Sequence, residues 1–496
     1  MLINRLKAKW WSWLARKKAR EGDYISTLDY CQRFLSLYPQ SPSTHSYIGY
    51  CHLKLGRHQE AVEAFERALQ IKPDHAYARA ELGCIFATDG KYQQGIEELN
   101  RAFRIQPKLR DTWNYHVVLA DAAIKIGRID QALDAYKQLV RINPKAADGH
   151  YGAGWALFSL ENLQEAEQHL RVAMKLDPNH ADAHDHLGRV LLSLGKTKEA
   201  VEQHERSVAL KPDDPVARYC LGVSYGEEKR FGEAAVAYIE AIKLRPDYPS
   251  AYYNLALSYE ELQRDEDAIS AYRQAIRLDR HSPRPLINLG VLLARLGRHE
   301  ESIPIWTRAV ELSPNDIKFR MSLAWALAET DRPREAIHAC QDALNSMPDC
   351  AGGHYNIGIY HLRLQEYQQA IEAEEKALVL EPENYEALWV LGQAFAGQRD
   401  NERAHQAFER AANISPELPG SWHNLGHFYL ETGRYDDAVR HLEKALQLRH
   451  DLPDALYSLG LAYAKLGNTA AALAQCETLS VLDSDKAREL RDEIGA

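Results

Sequence analysis

Small and apolar residues return along this chain at a fixed interval. Glycine stands at Gly49, Gly83, Gly154, Gly188, Gly222, Gly290, Gly358, Gly392, Gly426 and Gly460, with Ala120, Ala256 and Ala324 in the same register. Twelve residues later a second small position holds Ala61, Ala132, Ala166, Ala200, Ala234, Ala268, Ala336, Ala370, Ala404, Ala438 and Ala472. Each unit then reaches an apolar residue two places before a proline, as at Ile71, Ile105, Leu176, Leu210, Leu244, Leu380 and Ile414. The prolines keep a step of 34 through Pro39, Pro73 and Pro107, through Pro144, Pro178, Pro212 and Pro246, and through Pro314, Pro348, Pro382 and Pro416. Where the step misses a proline it lands on Arg280, His450 or Ser484.

A period in this range marks a solenoid or an array. Between the two small positions lies a turn signal: Gly56, Gly90, Gly127, Gly195, Gly297, Gly433 or Gly467. Such a glycine ends a first helix, A, where a left-handed residue is wanted. A second helix, B, runs on until proline stops it, because the ring cannot extend the hydrogen-bond ladder. A large side chain at either small position would hold the two helices apart, at about 1–3 kcal/mol per site. One such hairpin cannot bury its own apolar face and is stable only when stacked. No strand pattern intervenes, so the chain is expected to be all-α, with helix far above the usual proportion of about a third.

The residues that carry this pattern are met well in "AYYNLALSYEELQRDEDAISAYRQAIRLD", 251–279. They show a bulky residue, a leucine with a small residue, an aromatic, then alanine, an aromatic and alanine. In this the chain resembles the tetratricopeptide repeat family. The resemblance implies a right-handed superhelical solenoid of about fourteen helix-turn-helix repeats: an array over 42–484, a basic and aromatic N-terminal helix with a degenerate first repeat in 1–41, and a capping helix over 485–496, with Ala487, Leu490 and Ile494 on one face. Two irregularities stand out. The step from Pro107 to Pro144 is 37 residues, which predicts a break in pitch near 108–113, and Pro304 is expected near the first turn of a B helix.

The resemblance also implies that helix A lines a concave groove at the positions flanking the Leu-Gly pair. Asn254, Asn288 and Asn424 precede that leucine and Asn356 the Ile357 in its place, and Tyr253, Tyr355 and Trp389 stand one step earlier in their repeats. Arrays similar to the repeat region of the O-linked sugar transferase hold an extended peptide with such an asparagine ladder, the neighbouring aromatic taking a side chain. The other reading of these asparagines is that they cap or solvate the helix surface. Arg295 and Arg363, with Arg284 and Lys318, add positive charge, whereas Glu227, Glu260 and Glu261 mark earlier repeats. The lysine–asparagine clamp of chaperone-binding relatives is missing from the equivalent positions, among them Ser46, Tyr50, Tyr253 and Leu257, which argues against a chaperone C-terminus as ligand.

Composition narrows the classes. The chain has 496 residues, 45% hydrophobic and 26% charged, as in a folded protein. A net charge of −10 argues against nucleic acid, which wants a basic face. Seven scattered cysteines without a CxxC pair fit a reducing compartment. With no long apolar run and no signal-peptide core, the cytoplasm is the expected location.

Three features invite sharper readings. His423, His427 and Glu431 follow at successive helical turns, but the third lies too far along the axis to share a metal with the first, so no metal or other cofactor is expected. His116, His150, His184 and His354 occupy the usual aromatic packing position of helix A and are expected to substitute in the core. Residues 1–20 carry seven basic residues and no acidic one, and place Leu2, Leu6, Trp10, Trp13 and Leu14 on a stripe beside Lys7, Lys9, Arg16, Lys17 and Lys18. That stripe suits either a cap whose tryptophans pack on the first hairpin or a peripheral contact with an anionic membrane.

No phosphate loop, nucleophile elbow or HExxH sequence occurs, and no stretch outside the array could hold a catalytic domain. The expected function is a non-catalytic scaffold or adaptor that binds a protein or extended peptide in its groove. A membrane-tethered assembly factor and a self-associating scaffold, hence a homo-oligomer, are the alternatives.

Overall fold

The structure is a computed structural model that describes residues 2–495, with the backbone alone for Leu2. It contains 29 α-helices, numbered α1–α29 along the chain, and no strand among the described residues. Helices account for 81% of residues, well beyond the usual share of about a third. Successive helices pair as fourteen hairpins from α1 (Leu2–Arg20) with α2 (Tyr24–Leu37) to α27 (Pro453–Lys465) with α28 (Thr469–Leu482), followed by α29 (Ser484–Ile494). They group into two compact units, 1–263 and 264–496.

Every A helix from α3 (Pro42–Lys54) onward ends in a residue of left-handed conformation, 34 or 37 residues after the last. Seven of these are the glycines of the sequence pattern. The other six are Glu161, Lys229, Gln263, Asp331, Gln365 and Arg399, with φ between 56° and 63°. Stacking on both sides imposes a conformation that an L-residue adopts at a cost of about 1–2 kcal/mol. Lys229→Gly is therefore expected to raise the melting temperature, by about 1 kcal/mol in stability. Gly22 has the same conformation 34 residues before Gly56, so α1 and α2 are a hairpin of the same kind, and the basic N-terminal segment is itself that hairpin's helix A.

The small position of helix A has a definite use. In most repeats it receives the side chain sixteen residues later, on helix B. An added Cβ at Gly49 would stand 2.8 Å from the Phe65 ring, and one at Gly392 2.7 Å from Phe408. The same seat is taken by His204 at Gly188 and by Glu374 at Gly358. At Gly460 the occupant is Leu490 of α29, fully buried together with Cys476 and Leu479 of α28. Leu490→Ala should thus cost about 2–5 kcal/mol. It should also speed hydrogen exchange over 453–482; unchanged protection there would show that α29 contributes nothing to that hairpin.

The three extra residues of this step are taken up where the chain forms a five-residue 3-10 helix, Pro107–Asp111. Pro304 is the sixth residue of α18 (His299–Leu312) and not in its first turn, so the helix runs through at the loss of one backbone hydrogen bond. His116, His150 and His184 are buried, and His354 is half-buried. Each donates from Nε2 to the carbonyl of the residue six before it, at 2.9–3.2 Å. These rings therefore fill core space and also satisfy the carbonyl of the inter-repeat turn. In α1, Ala8 and Ala15 face α2 and are buried. Trp11 stacks on Tyr30 at 5.7 Å and the Trp10 ring lies 4.8 Å from that of Trp11, while Trp10 and Trp13 both remain more than half exposed.

Candidate functional site

A cavity of about 370 Å³ opens in the second unit, on successive A helices. Tyr355 comes from α21 (Ala351–Arg363), Tyr385, Glu386 and Trp389 from α23 (Tyr385–Gly397), and Asn424 from α25 (Pro419–Glu431). The period of 34 residues sets Tyr355 and Trp389 at equivalent positions of neighbouring hairpins, so their rings follow one another along the array. Leu418 and Pro419 add apolar wall, and Arg449, from the turn after α26 (Tyr435–Leu448), stands at the rim. The Arg449 side chain is largely exposed, its Nε 3.9 Å from Asp451.

The site is aromatic, with one amide and one charge of each sign. Burial pushes the Tyr355 phenol above its ordinary value, with Glu386 and Glu374 adding to the effect, and burial likewise raises Tyr385. Both phenols stay neutral at physiological pH and can donate a hydrogen bond. Such a hollow can hold an apolar or aromatic side chain while Asn424 bonds the adjoining backbone. It has no nucleophile paired with a base.

Three of the nine residues expected from the sequence, Tyr355, Trp389 and Asn424, meet here. Asn356 is half-buried on the same helix as Tyr355 but does not line the cavity. Asn288 Nδ2 donates to the Tyr272 hydroxyl at 3.3 Å. Arg363 is tied to the Ala328 carbonyl and to Glu329, both at 3.1 Å, and Arg295 to Asp265 at 3.2 Å. These arginines bridge successive repeats on the surface, in pairs worth about 0–1 kcal/mol. Tyr253 and Asn254 belong to the first unit, where Asn254 Nδ2 donates to the Tyr219 hydroxyl at 3.1 Å beside Tyr238 and Tyr248. Tyr385, Glu386 and Arg449 escaped the sequence reading because they sit at the start of helix A and in an inter-repeat turn, outside the Leu-Gly register.

The first unit has a wider hollow of about 640 Å³ lined by Arg20, Ser46, Tyr47, Tyr50, His75 and Tyr77. It gathers none of the nine expected residues. Elsewhere in that unit Asp185, His204 and Cys220 bring three metal-ligand atoms within 4.8 Å of one another, all buried. Part of their bonding is directed inward, while Asp185 Oδ1 has no hydrogen-bond partner. His204 Nδ1 is 2.7 Å from the Ser224 hydroxyl, Nε2 bonds the Asp185 carbonyl at 3.1 Å, and Arg189 Nε is 2.9 Å from the Asp185 carboxylate. Burial pulls the His204 pKa down to about 4, so the ring is neutral, and Arg189 supplies the positive charge a cation would bring. The cluster is a buried polar network. His423 and His427 have ring centroids 6.1 Å apart, and His427 pairs with Glu431 at 3.5 Å.

All seven cysteines are free. Burial raises the thiol pKa of Cys31, Cys84, Cys220 and Cys340 to about 12, so these are inert side chains. No helix among the described residues is long and apolar enough to cross a membrane.

Among solved structures, the chain is similar to YrrB, a TPR protein with an unusual peptide-binding site, at 22% identity over 38% of this chain and 97% of that one, TM-score 0.34. It is similar to MamA from Desulfovibrio magneticus RS-1 at 25% identity over 34% and 95%, TM-score 0.32. Similarity to the Naa15/Naa10 structure bound to HypK spans 98% of this chain and 96% of that one, at 14% identity and TM-score 0.37. No curated protein matches. Family profiles described as tetratricopeptide repeat match residues 42–75, 117–181, 157–220, 249–282, 268–317, 287–354, 321–384 and 355–419, and one described as TPR repeat matches 227–263 and 426–467. None of these is a catalytic family. With most of its length matched and its hairpins in the expected register, the chain belongs to the tetratricopeptide repeat family.

Proposed function

We propose that this protein is a scaffold or adaptor that binds an extended segment of a partner protein along the A helices of its second unit. The observation that carries this is the convergence of Tyr355, Trp389 and Asn424 on one cavity, with Arg449 and Glu386 at its edge. Aromatic rings beside an amide on a solvent-facing helix surface are what side-chain capture needs: large contact area at low entropic cost, with the backbone bonded alongside. Charge of both signs at the rim suits a segment with an apolar anchor flanked by polar residues. The unpaired thiols support action in a reducing compartment, the cytoplasm being our assignment.

The test is a double variant, Tyr355→Ala with Asn424→Ala. Anchor residues of this kind typically contribute about 2 kcal/mol or more. Partners recovered by the wild type from its own cells and quantified by mass spectrometry should therefore fall at least about thirtyfold at equal bait, and the helical signal should persist. Retention of the same partners at full yield would show that the groove lies elsewhere.

A further inference from the structure

The helix α1 presents an outward ridge that nothing in the fold covers. Ile3 is 67% exposed, Leu6 60%, Trp10 55% and Trp13 57%. At 100° per residue these four lie within a sector of roughly 80°, and the buried Ala8 and Ala15 lie on the opposite side. Arg5, Lys9, Arg16 and Arg20 flank the ridge on one side and Lys7 and Lys18 on the other. Lys17 lies within the sector, its Nζ 5.6 Å over the Trp13 ring. The helix has no acidic residue, whereas the whole chain has a net charge of −10.

We infer that α1 docks on an anionic lipid bilayer, with Ile3, Leu6, Trp10 and Trp13 inserted at the headgroup level and the flanking lysines and arginines against lipid phosphates and carboxylates. Two features select this occupant. The charge is complementary to an anionic surface and opposite to that of the rest of the molecule. Tryptophan bounded by basic residues is the composition that rests at a bilayer interface, where the ring is half in water. Docking through α1 uses none of the residues that line the cavity of the second unit.

The experiment is flotation of the full chain with vesicles of phosphatidylcholine and phosphatidylserine at 70:30, beside vesicles of phosphatidylcholine alone, in 0.1 M salt. The wild type should float with the anionic vesicles at least tenfold better, with a blue shift of tryptophan emission, and should release as salt rises. Trp10→Ser with Trp13→Ser should lower binding at least tenfold, with unchanged circular dichroism, because both rings are exposed. Lys7→Gln, Lys9→Gln and Lys17→Gln together should lower it about a hundredfold, near fivefold for each charge. Equal binding to both vesicle types, or binding that survives the tryptophan variant, overturns the inference. A lipid-free dimer by light scattering that the tryptophan variant dissolves also overturns it, since the ridge would then meet a second copy.

Discussion

Replacing Glu374 by methionine is expected to stabilise the protein and to flatten its stability against pH. Glu374 occupies the seat at Gly358 that Phe65 or Trp306 fills in other repeats; it is fully buried, and neither carboxylate oxygen has a hydrogen-bond partner. No cation faces it; the titratable neighbour is Tyr355, on α21. Burial alone raises its pKa to about 9 from an ordinary 4.5, so the folded protein keeps a proton the unfolded chain releases. The sign follows: the contribution of Glu374 to stability is most favourable below about pH 4.5 and declines as pH rises toward 9, by roughly 1.4 kcal/mol per unit. By pH 7 the loss is about 3 kcal/mol. Glu374→Met removes both the proton linkage and the unpaired polar atoms, and Glu374→Gln only the linkage. Chemical denaturation at pH 5, 7 and 8.5 checks this. If the wild type and Glu374→Met show the same slope with pH, the carboxyl is solvated in a way the packing does not provide.

Trp306→Ala should be among the most damaging single changes, at about 3–5 kcal/mol. The indole is 4% exposed and lies against Gly290, where an added Cβ would come within 2.5 Å of the ring. Gly290→Ala should therefore also destabilise, by about 1–3 kcal/mol, because a buried ring cannot give way. The two effects are coupled through one space. Gly290→Ala combined with Trp306→Leu should be less destabilised than the sum of the single changes, by about 1 kcal/mol. Equilibrium unfolding of the four proteins closes the cycle, and strict additivity would show that the ring and the glycine do not compete. Because a repeat depends on its neighbours, the loss should appear first as faster hydrogen exchange in the hairpins on either side.

The period, the hairpins, the small positions and the family were legible in the sequence because they are local or strictly repeated. A helix closes its hydrogen bonds within itself, proline and glycine act on their own backbone, and a 34-residue step repeats each signal until it cannot be mistaken. What fills the seat at each glycine was not legible. The pattern marks position 358 as small, but only the packing shows that an unpaired carboxylate sits there, or that Leu490 of α29 reaches Gly460. Six turns carry left-handed Glu, Lys, Gln, Asp or Arg, invisible to a reading that expects glycine, because stacking supplies the energy that local preference withholds. Equivalent register and the family resemblance make the groove asparagines candidates for one ladder. Tertiary contacts divide them: Asn288 and Asn254 spend amide protons on tyrosine hydroxyls, whereas Asn424 joins Tyr355 and Trp389 around a cavity. Equivalent positions share a backbone, but each side chain answers to neighbours one repeat away whose identity the period does not dictate. The same holds for α1, where the sequence supplied an amphipathic helix and only the direction of Ala8 and Ala15 toward α2 decided that Trp10 and Trp13 face outward.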